Sequence, residues 1–163
     1  DVGTGAEPAR DPAPGGALRA RPAQAPAVPA GGAPVQAECA GLTYLVDELD
    51  GYPMCGALAG SARFTERLTL GYREAVAVAE SALHAIGDRV VGHEFHRTTV
   101  TFADTYQPAW VFSGREGAKV RDAAVDRGVH ASYLHTHPVA RPHAISRFVS
   151  VAEARFSSSG RNL

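Results

Sequence analysis

The residue best placed for chemistry is Cys39, in the run Pro34-Val35-Gln36-Ala37-Glu38-Cys39-Ala40-Gly41-Leu42-Thr43-Tyr44-Leu45. A short apolar strand there meets a sharp turn and then the start of a helix. Such an elbow holds one side chain on a tight turn and needs small neighbours, which Ala37, Ala40 and Gly41 supply. A thiol at a helix N-terminus also feels the positive end of the helix dipole, so the placement predicts a thiol that ionises readily. The competing reading of any free cysteine is a small buried hydrophobe. Cys55, in the apolar run Met54-Cys55-Gly56-Ala57-Leu58, reads that way.

A thiol nucleophile needs a base within hydrogen-bond reach. The candidate lies in Ala131-Ser132-Tyr133-Leu134-His135-Thr136-His137, where an apolar strand ends on two histidines. Chemistry in α/β folds gathers at the carboxyl ends of strands. Cys39 and His135 each follow a strand, so both can stand on one rim although they are far apart in sequence.

The seven histidines also raise a metal site, through His93, His96, His135 and His137. Positions three apart on a strand face opposite sides, so His93 and His96 would not chelate together. His135 and His137 would share a face and make half a site, but no third ligand or cysteine pair accompanies them, and no metal is expected. In Gly92-His93-Glu94-Phe95-His96-Arg97, Glu94 and His96 fall on one strand face. With His137 they are candidates for lining a substrate pocket, the alternative being a satisfied polar cluster at a sheet edge. Arg63, Arg67, Arg73 and Arg97 suit carboxylates or phosphates, or plain solvation.

The elements that must position these groups follow from the apolar pattern. Residues 1–33 are rich in Pro, Ala and Gly and cannot bury enough surface to offset their ordering entropy, which predicts disorder. Residues 34–156 carry the globular pattern, and 157–163 read as a disordered tail. Val35 to Glu38 is a short strand. Leu42, Leu45, Val46 and Leu49 have helical spacing, and Asp50-Gly51 stops that helix. Leu68, Leu70 and Tyr72 alternate with polar residues and predict a strand to about Val78. Ser81 to Gly87 is a turn. Arg89 to Val100, Pro108 to Phe112 and Val129 to Leu134 are further strands. A last helix begins near Pro142, with Ile145, Phe148, Val149, Ala152 and Phe156 on one stripe. The order predicts an α/β layered domain with an antiparallel portion.

The chain of 163 residues suits one domain with an ample core, and a net charge of −1 offers no field for nucleic acid. No apolar run is long enough to span a membrane, and no secretory signal is evident. Two cysteines make no disulfide framework, so the expected location is the cytoplasm.

Four segments in register carry a resemblance: Ala37-Glu38-Cys39-Ala40-Gly41-Leu42, Arg67-Leu68-Thr69-Leu70-Gly71-Tyr72-Arg73-Glu74-Ala75, Gly92-His93-Glu94-Phe95-His96-Arg97-Thr98-Thr99 and Ala131 to His137. Together they resemble the C-terminal glutamine amidotransferase domain of the cobyrinate and hydrogenobyrinate a,c-diamide synthases, over about residues 33–150. The resemblance implies a three-layer, flavodoxin-like class I amidotransferase sheet with an antiparallel extension, incomplete at its N-terminus. It makes Cys39 the nucleophile toward glutamine and His135 its base, acting as a dyad. Many class I relatives place a glutamate two residues after that histidine, where this chain has His137. Pro138 replaces an aromatic residue. The Gly-rich oxyanion loop expected upstream is not matched by Gly3-Thr4-Gly5-Ala6-Glu7-Pro8.

The implied partners are glutamine and a corrinoid substrate, the latter reached through an ATP-binding domain. No cofactor is expected in this chain. ATP and Mg²⁺ belong to that other domain, and no Gly-x-x-x-x-Gly-Lys-Ser/Thr loop occurs in the sequence. Alternative readings are the amidotransferase domain of another ligase, such as cobyric acid synthase, and a non-catalytic remnant or docking domain.

Overall fold

The computed structural model describes residues 33–114 and 117–159. The expected disorder of residues 1–32, the mismatch at Gly3 to Pro8 and the tail from 160 onward lie outside the described residues. Two sheets organise the rest. Val35–Glu38 forms β1, which runs parallel to the strand Val129–Ser132, with Val35 beside Val129 and Glu38 beside Ser132. Ala124–Asp126 pairs antiparallel on the other side of Val129–Ser132. The link between them turns through Arg127 and Gly128, both at positive φ (41° and 91°). That is the backbone of a two-residue hairpin whose twist matches its strands.

Between β1 and the second sheet lies a short helix, α1 (Ala40–Leu45). The spacing of Leu42, Leu45, Val46 and Leu49 predicts a helix to Leu49, but the chain is extended from Val46 to Leu49 (β2). The reason lies in the backbone carbonyls of residues 44 to 46. Tyr44 O, Leu45 O and Val46 O accept from the N–H groups of Cys55, Ala57 and Gly56 at 2.8–2.9 Å, so they cannot close another helical turn. Val46 and Leu49 are buried in either conformation, which is why spacing alone misleads.

The remaining strands are Tyr52–Pro53 (β3), Leu58–Ala77 (β4), Arg89–Phe102 (β5), Trp110–Ser113 (β6) and Lys119–Asp122 (β7). The two strands of the first sheet already placed are then β8 (Ala124–Asp126) and β9 (Val129–Ser132). The second sheet runs β3-β2-β4-β6-β7, with β5 along β4. β4 begins ten residues before the predicted Leu68, because Leu58-Ala59-Gly60-Ser61-Ala62 is too small-sided to show alternation. β4 and β5 form one long antiparallel ribbon, offset by a bulge between Phe64 and Thr69. β5 then crosses to the first sheet, where His93 and His135 bridge.

The chain is thus mixed α/β, with two parallel pairs, β1 with β9 and β2 with β4, and a larger antiparallel portion. Its core divides in two. Ala37, Leu42, Leu45, Val46, Leu58, Ala62, Ala131 and Tyr133 pack around α1, with Cys55 partly buried against them as predicted. Ala75, Val90, Trp110, Phe112 and Leu134 form the second cluster. The last helix, α2 (Pro142–Ser159), forms where Pro142 predicts it and continues through 157–159, the first three residues of the expected disordered tail. Its stripe is not a core face, since Ile145, Val149 and Phe156 are exposed and Ala144 is the buried residue near its start. Polar contacts tether it: Arg147 Nη2 lies 2.7 Å from Glu80 Oε2, and Arg147 Nε donates to Ser81 O at 3.0 Å.

Candidate active site

β1 and β9 run parallel and deliver Cys39 and His135 to the same end of the sheet. Cys39 sits at φ 52°, ψ −104°, a region L-residues rarely adopt, so the turn after β1 is strained around the thiol. The surroundings hold it there. Cys39 N donates to Ser132 O at 2.8 Å, and Cys39 O accepts from Thr43 N at 3.3 Å. Gly41 leaves room for the tight approach, since a Cβ on it would lie 3.3 Å from that of Ala37.

The thiol does not behave as its place before a helix predicts. Burial pushes it up, outweighing the lowering by the Ala40 N–H, and the neighbouring Glu38 carboxylate pushes it further the same way. α1 is a short helix and contributes too little dipole to overcome this. Sγ donates weakly to Phe95 O at 3.8 Å. Burial therefore favours the neutral thiol, so a nucleophilic role would need a base to take its proton.

His135 is held from three sides. Its backbone N–H and C=O pair with those of His93, at 2.9 and 3.1 Å. Its ring stacks on that of His93, with centroids 5.0 Å apart and 17° between planes. Its Nδ1 faces Glu38 Oε2 at 3.7 Å. The close approach of β5 depends on Gly92, because a Cβ there would lie 2.5 Å from His135 O and 2.7 Å from Leu134 Cγ. Sequence reasoning passed over both Glu38 and Gly92. The signal for Glu38 was an acid next to the nucleophile at a strand end. Gly92 gave no signal, because its need arises from a strand crossing.

Of the expected pocket residues, two line a cavity of about 540 Å³ and one does not, and neither Cys39 nor His135 is in that lining. Glu94 and His96 lie on one face of β5, as alternation predicts, with Arg67, Arg73, Asp122 and Tyr133 around them. Burial would raise the Glu94 carboxyl, but the His96 hydrogen bond and Arg73, at 2.7 Å, more than offset it and hold the group low. His96 stacks on Tyr133 at 3.8 Å and its Nδ1 meets Thr98 O at 2.9 Å. His137 is exposed and outside that lining. Its Nδ1 accepts from Val139 N at 3.2 Å, capping the short 3-10 turn Pro138–Ala140. His93 and His96 do face opposite sides of β5. Among the described residues no three His, Cys, Asp or Glu side chains form a metal-holding group. Among the four arginines, Arg73 pairs with Glu94, and Arg97 Nη1 donates to Glu66 O at 2.6 Å.

Asp122 supports the same rim from beneath. Its carboxylate accepts from Ser132 Oγ at 2.9 Å, and that hydroxyl accepts from Leu134 N at 2.8 Å, just ahead of His135. Burial pushes Asp122 up to about 6, above the roughly 3.9 of an unfolded aspartate. Burial pulls His130 down to about 3, where it packs against His84 and Trp110. The two groups act oppositely on acid stability. As pH falls from about 6.5, the unfolded chain protonates His130 and the native chain does not, so stability drops. As pH falls from about 6 toward 4, native Asp122 takes a proton before unfolded Asp122 does, so stability rises. Asp122 therefore offsets part of the loss that His130 and His84, both held low by burial, bring between pH 6 and 4. D122N removes that offset, so urea unfolding should lose about 1.4 kcal/mol per pH unit more than wild type in that window.

Comparison with known proteins shows the family. The CobB/CobQ-like glutamine amidotransferase domain matches residues 26–142, and the chain belongs to that family. It is 71% identical over 123 residues to a hydrogenobyrinate a,c-diamide synthase of Mycobacterium bovis, covering 76% of this chain and 27% of that protein. A synthase of the same name from Streptomyces coelicolor is 58% identical over 118 residues, covering 72% and 24%. A cobyrinate a,c-diamide synthase of a Synechococcus strain is 40% identical over 128 residues, covering 75% and 28%. The chain thus spans about a quarter of the length of these curated relatives. Among solved structures, a proposed GMP synthase component from Thermoplasma acidophilum has the same fold, at TM-score 0.53 and 12% identity, covering 78% of this chain and 61% of that one.

Proposed function

We propose that this chain is the glutaminase part of a corrinoid a,c-diamide synthase, releasing ammonia from glutamine for a separate ATP-using portion. One observation carries the reading. Cys39 stands on a strained elbow at the end of β1, and His135 stands at the end of the parallel neighbour β9. Membership of the amidotransferase family and 71% identity to a synthase support the assignment of substrate class.

In this mechanism Cys39 Sγ attacks the side-chain amide carbon of glutamine while His135 Nε2 takes the thiol proton. The Ala40 N–H, which already points at the sulfur, then faces the developing oxyanion, as the residue after a nucleophile does on such an elbow. The tetrahedral adduct collapses with cleavage of the C–N bond, and His135 returns its proton to the leaving nitrogen, giving ammonia and a glutamyl thioester. Water, deprotonated by His135, attacks the thioester and releases glutamate with the thiol restored. Glutamine and water become glutamate and ammonia.

The reading assigns ATP, Mg²⁺ and the amidation of two peripheral corrin carboxylates to a separate portion of the enzyme, in keeping with a sequence that carries no Gly-x-x-x-x-Gly-Lys-Ser/Thr loop. Ammonia release from glutamine, measured with and without C39S, tests the reading. Release that stops in C39S supports it, and release equal in both proteins overturns it.

A further inference from the structure

We propose that Glu38 is a positioning residue for His135, filling from the strand before the nucleophile the role of a third catalytic-site member. The inference rests on the glutaminase reading above. The Glu38 carboxylate is not a loose surface group. Its Oε1 accepts from Thr136 Oγ1 at 2.9 Å, from Thr136 N at 3.2 Å and from Gln36 Nε2 at 2.9 Å. These donors occupy one oxygen and leave Oε2 facing His135 Nδ1 at 3.7 Å. On the opposite side the His93 ring stacks against the imidazole and limits its rotation. An anionic acceptor beside Nδ1 keeps the proton on that nitrogen, so Nε2 carries the lone pair needed to deprotonate Cys39. Such contacts are often long without substrate and shorten when it binds.

Position 137 supplies no competing orienter, because the His137 ring is turned to Val139 N. Register explains why position 38 can serve instead. Glu38 lies beside Ser132 across the parallel pair, three residues ahead of His135, so its side chain reaches along β9 to the imidazole.

E38Q isolates the role. Glutamine keeps an oxygen for Thr136 and Gln36 but places an N–H group toward His135, which favours the tautomer with the proton on Nε2. The expected result is a fall in kcat of about 10²-fold or more with KM changed by less than about threefold, as for the wrong tautomer in a triad. The ¹⁵N shifts of the His135 ring should report the change from Nδ1–H to Nε2–H, a readout independent of turnover. E38D, which keeps the charge, should recover part of kcat. The two roles open to this carboxylate differ in sign. Removing it relieves the upward push on the Cys39 thiol, so a residue that acted only on the thiol would give an E38Q enzyme at least as fast as wild type. An unchanged ring tautomer or an undiminished kcat in folded E38Q overturns the proposal. If C39S leaves ammonia release intact, the glutaminase reading itself fails, and the two failures are distinct.

Discussion

C39S and H135A are each expected to lower kcat for glutamine hydrolysis by at least about 10³-fold, and the double variant should be no slower than the worse single one. Residues that act as one unit lose their effect together, so the second removal costs nothing further. The structure gives the reason. Burial and the Glu38 carboxylate disfavour the Cys39 thiolate, so under the proposed mechanism the sulfur would depend on His135 at the moment of attack. A serine in its place is a still weaker acid and a poorer nucleophile than the thiol. The same logic predicts slow alkylation of Cys39 by iodoacetamide at neutral pH without glutamine, read by peptide mass against a free thiol. Ammonia release and CD spectra of the four proteins check the kinetic prediction. A double variant slower than either single one by the product of the two losses would show that the groups act separately.

G92A is the second large effect, and it acts at a distance from the reacting atoms. A single methyl there meets the His135 carbonyl at 2.5 Å and Leu134 Cγ at 2.7 Å, and a backbone oxygen cannot swing aside. Strand β5 must move away from the end of β9, weakening the paired hydrogen bonds of His93 and His135 and the ring stack they support. Overpacking of this kind costs about 1–3 kcal/mol of stability. Displacing a catalytic group by about 1 Å costs about 10²-fold in rate. Both losses are expected in G92A, from urea unfolding and from kcat. G60A supplies the control at the far end of the same ribbon. A Cβ on Gly60 would meet Thr101 O at 2.6 Å, so it should cost stability without the loss in kcat. Equal kcat losses in the two variants would argue against a local action on His135.

The same two strand ends show which features the amino-acid sequence settles. The elbow at Cys39 is a local matter of small residues around a strand-to-helix turn, so it is legible from Ala37 to Leu42. The common face of Glu94 and His96 follows from the two-residue period of a strand, and His135 from an apolar run that stops. These depend on neighbours within a few positions. The end of α1 at Leu45 does not, because it is decided by N–H groups of residues 55 to 57 that take the carbonyls of 44 to 46. The exposure of Ile145, Val149 and Phe156 likewise turns on what packs against α2, which periodicity leaves open. Nor could a short helix after Cys39 disclose that burial would outweigh its dipole and keep the thiol protonated. Glu38 beside His135, and Gly92 beneath it, are contacts between strands distant in sequence. Sequence determined which groups can do the chemistry. Only the tertiary pairing of β1, β5 and β9 decided how they are aimed, because register and close approach across strands are properties of the packed sheet and not of any one segment.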